Sequence, residues 1–252
     1  MDRVLIIAAA GRGSRLGAAG PKALVRVAGQ PMLERLLAMH RATVDRVIVV
    51  AAPDTLADFE LFVAGRDVPV DLAVQHAPTG MLDAVLAARA VVARWRPVRV
   101  ALTWCDQIAL ADPTIARVAA RARAADAPAL VFPTFVMDHP YIHFDRDGGG
   151  TIVGVRQRRE GDEMPERGES DMGLFDLSLD AYSRDLDQFA SGPVPGGQTG
   201  ERNFLPFIPW LAARRVVETV AGQSPIETVG VNTPEELRAV QDHLSPGGRP
   251  PR

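Results

Sequence analysis

The chain has 252 residues, 47% of them hydrophobic, and a net charge of −3 at pH 7, so it can bury a full core and lies at the upper end of what one α/β domain holds. The slight acidity and the scatter of arginines along the chain leave no basic excess for a nucleic-acid backbone, which excludes nucleic acid as a partner, while an acidic small molecule needs only a few local cations. A single cysteine, Cys105, allows no internal disulfide, and no window nears the ~20 apolar residues that span a bilayer, so the expected setting is the cytoplasm with no membrane partner.

The first element is VLIIAAA, residues 4–10. The run is too short, and Asp2 too close to Arg3, for a secretory leader, so it is expected as a buried strand. It leads into GRGSRLGAAGPKA, residues 11–23, which holds Lys22, the one lysine among the 28 basic residues. A Walker A loop requires Ser or Thr after the lysine, where this chain has Ala23, and the dinucleotide fingerprint requires a third glycine where this chain has Leu16. Small residues such as Ala9, Ala10, Gly11 and Gly13 let backbone N–H groups approach a phosphate, and Arg15 and Lys22 add cations, which together suggest a triphosphate clamp. The glycines alone read equally well as a surface turn. The lone lysine favours the clamp, because a compact ammonium fits among phosphate oxygens where a planar guanidinium does not.

Helix-like segments follow at 31–42, 54–65, 80–95 and 112–125, alternating with continuous apolar runs at 46–52, 70–75, 98–104 and 129–134. Strands without polar alternation are covered on both faces, and their alternation with helices predicts a parallel sheet between helical layers. After residue 135 the segments 141–145, 151–157 and 172–178 read as shorter, partly antiparallel strands. They precede a proline-interrupted helix at 201–215 and a strand at 216–221. Thr233, Pro234 and Glu236 form the start of a last helix with a capping box. The expected organisation is one domain over 1–244, with a nucleotide-binding half at 1–135, an acceptor half at 136–244 and a disordered tail at 245–252.

The opening LIIAAAGRGSRLGAAGPKALVRVAGQPMLERLL resembles the signature of the sugar-phosphate nucleotidyltransferases, the NDP-sugar pyrophosphorylases. It is closest in layout to the uridylyltransferase domain of the bifunctional enzyme that forms UDP-N-acetylglucosamine. The resemblance implies a GT-A-like α/β fold: a mostly parallel mixed sheet, helices on both faces and a small antiparallel lobe on the acceptor side. It makes Arg15 and Lys22 the cations on the nucleotide's phosphates. QHAPTGMLDAVLAAR, from Gln75 on, resembles the base-reading segment and puts Gly80 against the base, but Pro78 stands where uridylyltransferases often have glutamine.

Asp106 follows a buried strand, where open α/β sheets place ligands, and a carboxylate there suits Mg²⁺. Asn232, in a segment resembling the family's closing G-V-N motif, is the second metal-ligand candidate. It could equally serve only to begin the helix at Thr233. GESDMGLF, residues 168–175, resembles the acceptor segment, with Glu169 and Gly173 matching and Asp171 in the place of an asparagine. Glu201 matches a further family glutamate. Arg156 falls where a sugar-binding glutamate is expected, and RQRREGDE around it, with Glu160, reads as a solvated loop or, alternatively, as a binder of an acceptor carrying an extra anionic group. Cys105 reads as a packing residue and His139 and His143 as ordinary histidines.

These readings imply an Mg²⁺-dependent nucleotidyltransferase whose partners are a nucleoside triphosphate and a phosphorylated small-molecule acceptor, such as a sugar 1-phosphate. Pro78, Asp171 and Arg156 keep open a cytidylyltransferase acting on a polyol phosphate or a phosphonate. A nucleotide-binding regulatory module without turnover is the third reading. No Asp-x-Asp pair supports a glycosyltransferase.

Overall fold

The computed structural model describes residues 2–11, 13, 16, 20–65, 69–192 and 196–245. In chain order the strands are β1 (Arg3–Ala8), β2 (Arg26–Val27), β3 (Gln30–Pro31), β4 (Arg46–Ala51), β5 (Val70–Val74), β6 (Arg99–Trp104), β7 (Leu130–Asp138), β8 (Ile142–Arg146), β9 (Ile152–Gln157), β10 (Arg167–Asp171), β11 (Leu174–Ser178) and β12 (Val217–Ala221). The α-helices are α1 (Met32–His40), α2 (Leu56–Val63), α3 (Met81–Ala87), α4 (Arg89–Trp95), α5 (Asp112–Ala122), α6 (Leu186–Ala190), α7 (Phe207–Ala212) and α8 (Pro234–Leu244).

An eight-stranded sheet runs in the order β10-β7-β11-β6-β1-β4-β5, with β12 paired to β7. The pairs β1/β4, β1/β6, β4/β5 and β7/β12 are parallel, whereas β11 runs antiparallel to β6 and β7, and β10 antiparallel to β7. The apolar runs lack alternation because each strand feeds two cores. Val4, Ile6, Ile48, Val50, Val100 and Leu102 pack in one cluster, and Leu5, Ile7, Val47, Val49 and Ala101 in the other. From β1 the chain moves outward through β4 to β5 and then returns to β6 on the other flank of β1. That reversal opens a crevice at the carboxyl ends of β1 and β6, where Ala8 is in register with Trp104.

The predicted α/β class and mixed sheet are observed. Several details differ. The acceptor-side antiparallel sheet is only the β8/β9 hairpin, because β10, β11 and β12 join the main sheet. The helix expected over 80–95 divides into α3 and α4 around Ala88. Of 201–215 only Phe207–Ala212 is helical: Arg202 bonds to Thr79 and Leu82 through its backbone, and Pro206 becomes the N-cap. Pro31 pairs in β3 and precedes α1 rather than lying in its first turn. Among the described residues no helix is long and apolar enough to cross a membrane.

Candidate active site

A cavity of about 260 Å³ opens at the crevice. Ala10, Gly11 and Lys22 lie on one wall, Trp104 and Asp106 at the end of β6, Gln75, Pro78 and Gly80 on a second wall, and Arg159 with Glu201 on a third. A larger cavity, about 370 Å³, lies at the opposite end of the strands beside Arg3 and Arg99. There Asp176 already accepts from both arginine Nε atoms, and neither the switch point nor the glycine-rich segment is near.

At the centre of the site, Lys22 Nζ donates to Asp106 Oδ2 at 2.5 Å and to Asn232 Oδ1 at 2.7 Å. Three segments that are far apart in sequence meet at this atom. Lys22 opens a short 3₁₀ turn, Lys22–Leu24, and its N–H bonds to Gly11 O at 3.2 Å. Gly13 packs on it: at φ +65°, a Cβ there would stand 3.1 Å from Lys22 Cβ. Asp106 follows β6, and its carbonyl accepts from Val231 N at 3.2 Å, which draws the 230–232 segment alongside. A Cβ on Gly230 would come within 3.2 Å of both the Asp106 carboxylate and the Asn232 amide, so only glycine lets the two side chains approach without displacement.

The capping box of α8 forms as expected, with Glu236 Oε2 accepting from Thr233 N and Asn232 N at 2.8 Å each. Asn232 Nδ2 donates to Gly230 O at 3.1 Å, and this turns Oδ1 toward the lysine. Asn232 is therefore oriented by the helix start and also faces the cavity residues, so the two sequence readings of it are compatible. Asp106 and Asn232 together present two hard oxygens that already share one cation, the lysine ammonium. That donor set fits Mg²⁺, which takes a few oxygen ligands from protein and the rest from phosphate and water. Among the described residues no group of three or more His, Cys, Asp or Glu could hold a metal.

On the second wall, Gln75 Nε2 donates to Gly80 O at 2.9 Å and braces the turn. Gly80 has φ +119°, and a Cβ would stand 2.4 Å from Arg202 O, so the glycine is required by a neighbouring backbone whatever else it meets. Ala10 and Gly11 line the cavity, whereas Ala9 is buried in the core. Arg15 lies outside the described residues.

The four acceptor candidates are not brought together. Glu201 lines the cavity and accepts from Arg159 Nη2 at 2.8 Å. Glu169 is held by both Arg146 Nε and Nη2 at 2.7 Å. Its burial works to raise the carboxyl pKa, but bonds from Arg146 and Thr134 outweigh this and lower it. Asp171 is buried and accepts from Gly173 N at 2.9 Å. Burial is the larger influence and pushes its carboxyl up to about 6, against the lowering by that bond. Neither Glu169, Asp171 nor Gly173 lines the cavity.

RQRREGDE is not a solvated loop throughout. Arg156 pairs with Asp145 at 2.8 Å, and Glu160 accepts from Gln198 N and Thr199 N at 3.1 Å, so both are occupied with structure. Arg159 alone of the run reaches the cavity wall. Nothing in the sequence marks this one of the run's three arginines as inward-facing. Cys105 is buried, and burial, followed by the Asp106 charge, pushes its thiol up to about 12, which suits packing and not nucleophilic attack. His143 Nδ1 accepts from Glu169 N at 3.1 Å, a structural bond.

A family model described as the MobA-like NTP transferase domain matches residues 5–164, more than half of the chain and including most of β1, the glycine-rich segment and Asp106. The chain belongs to this family. Membership in the MobA-like NTP transferases makes the enzyme class nucleotidyltransferase, and the curated relatives are consistent with it. The bifunctional protein GlmU of Pelotomaculum thermopropionicum is 26% identical over 252 residues, covering 97% of this chain and 52% of that protein. The GlmU of Acidiphilium cryptum is 32% identical over 134 residues, 53% of this chain and 29% of that protein. The 2-C-methyl-D-erythritol 4-phosphate cytidylyltransferase of Saccharopolyspora erythraea is 38% identical over 135 residues, 52% of this chain and 59% of that protein. The chain spans about half the length of the first of these relatives.

Proposed function

We propose that this chain transfers the nucleoside monophosphate of an NTP to the phosphate of a small acceptor, a sugar 1-phosphate, and releases pyrophosphate. The observation that carries the reading is the meeting of Lys22, Asp106 and Asn232 at the carboxyl ends of the central strands, where Lys22 and Asp106 line a cavity together with Ala10, Gly11 and the Gln75–Gly80 turn. An acceptor phosphate oxygen forms the new bond to the α-phosphorus as the bond to the β-phosphate bridging oxygen breaks, and the electron pair leaves on pyrophosphate. An ionised phosphate needs no general base, so catalysis reduces to aligning two anions and offsetting their repulsion.

Asp106 and Asn232 are the residues that would hold Mg²⁺, which when bound supplies positive charge against the triphosphate. Lys22 binds phosphate oxygens as a point charge. The Gln75–Gly80 turn borders the base, and Arg159, with Glu201 as its counter-ion, offers a cation to the acceptor.

A cytidylyltransferase acting on a polyol phosphate is the second reading. Pro78 on the cavity wall, where a uridylyltransferase-like glutamine is missing, and the 38% identity to a cytidylyltransferase over 135 residues favour it. The test is product formation from UTP and from CTP, each with Mg²⁺ and with a sugar 1-phosphate, a polyol phosphate or a phosphonate. A nucleotide-sugar product supports the first reading and a CDP-polyol the second. Tight nucleotide binding with no pyrophosphate from any pair would contradict both and leave a regulatory module.

A further inference from the structure

We infer that Lys22 keeps the Asp106–Asn232 pair closed to metal until a triphosphate draws the lysine away, so that metal and nucleotide enter this site only together. The inference rests on reading that pair as the metal site. The ammonium stands 2.5 Å from Asp106 Oδ2 and 2.7 Å from Asn232 Oδ1. Mg²⁺ bound to those same oxygens would lie at about 2.0–2.1 Å from each. The two cations would compete for the same oxygen lone pairs and repel each other at close range, so holding both without further anions is disfavoured.

Lys22 and Asp106 are each 9% exposed, and breaking a buried pair without replacing a partner is costly. A free divalent ion therefore meets a carboxylate that is already neutralised, and it would strand the lysine. A triphosphate changes the balance because it gives the ammonium new oxygens and brings oxygens to the metal.

The backbone of Lys22 cannot follow easily. Its N–H is tied to Gly11 O at 3.2 Å, its carbonyl accepts from Val25 N at 3.1 Å, and Gly13 sits against its Cβ. The exchange is thus confined to rotations of the four-carbon stem, the kind of movement lysine makes and a forked guanidinium makes poorly. Lys22 is in this sense a positioning residue for the metal as well as a phosphate ligand.

The sequence supplies the probe, since a chain with one lysine gives one side-chain ammonium resonance when grown with ζ-¹⁵N-lysine. The full chain is titrated with Mg²⁺ alone and then with Mg²⁺ plus α,β-methylene analogues of UTP and CTP. The resonance is expected to hold its position through millimolar Mg²⁺ and to move when analogue and Mg²⁺ are added together. In parallel, calorimetric titration with Mn²⁺ in the absence of nucleotide should show Lys22→Met binding about tenfold tighter or more than wild type. Adding Asp106→Asn to that variant should abolish the gain. Saturable movement of the resonance with Mg²⁺ alone, or Mn²⁺ affinity in Lys22→Met no greater than in wild type, would overturn the inference. If calorimetry detects no binding of either analogue with Mg²⁺, the nucleotide-site reading falls and takes this inference with it. If an analogue binds and the resonance stays in place, only this inference falls.

Discussion

At Asp171 the carboxyl is buried and its pKa raised to about 6. The folded chain therefore holds this proton more tightly than the unfolded one, and stability is lost as pH rises from the unfolded value near 4 through 6. Asp171→Asn keeps an acceptor for Gly173 N and removes the charge. It should raise stability on the order of 2 kcal/mol at pH 7, and the advantage should vanish below about pH 4. Thermal midpoints of both proteins across that range check it, and a constant difference would contradict it. Candidate-site residues legible in the sequence were those of unusual type or place: the single lysine, Lys22, the post-strand Asp106, and Asn232 ahead of the last helix. Arg159 was illegible because arginine is common in this chain, and its inward position depends on where β9 ends. Gly80 was noticed for a base contact, although the close approach of Arg202 that requires glycine there is long-range and leaves no local trace.

At the level of elements, helix α8 fixes a candidate site residue, Asn232. Glu236 closes the capping box and also accepts from Asn232 N. Glu236→Ala should cost about 1 kcal/mol of stability and, by loosening Asn232, weaken nucleotide binding in Mg²⁺ by more than that loss of stability explains. Calorimetric affinities measured well below the variant's midpoint separate the two effects, and an unchanged affinity would mean that Asn232 is held without the helix. This start was readable because a capping box is written within four residues. The proline-interrupted helix was not readable, because Arg202 exchanges helical bonds for Thr79 and Leu82. Nor could the sequence tell that β10 to β12 join the main sheet, since their partners on β6 and β7 lie from 29 residues away, Arg167 opposite Asp138, to 87 residues away, Val217 opposite Leu130.

The molecule as a whole is a sheet with the candidate site at one end of its strands and a buried charge cluster at the other. Asp176 accepts from both Arg3 and Arg99 and so ties β1, β6 and β11 together. Asp176→Asn would strand two buried guanidinium groups, with an expected loss of about 3–5 kcal/mol, read from denaturant midpoints. His40 is buried with neither ring nitrogen paired among the described residues. Burial, then the Arg3 charge, lowers its pKa to about 3. Its contribution is therefore present above about pH 6.5 and is lost as pH falls, because only the unfolded chain takes up the proton. His40→Leu should flatten the loss of stability between about pH 6 and 4, and an unchanged acid profile would place the sensitivity elsewhere.

The proposed transfer requires that Lys22, Asp106 and Asn232, which meet at Lys22 Nζ, bind a metal–triphosphate. The most direct test is the thermal midpoint of wild type, Lys22→Ala and Asp106→Ala with Mg²⁺ and each of ATP, GTP, CTP, UTP and dTTP. A nucleotide at 100 times its dissociation constant adds about 2.7 kcal/mol, a rise of several degrees for a chain of this size. One or two nucleotides should raise the wild-type midpoint by that amount, and both variants should lose the rise. A rise that survives in both variants, or none with any nucleotide, would contradict it.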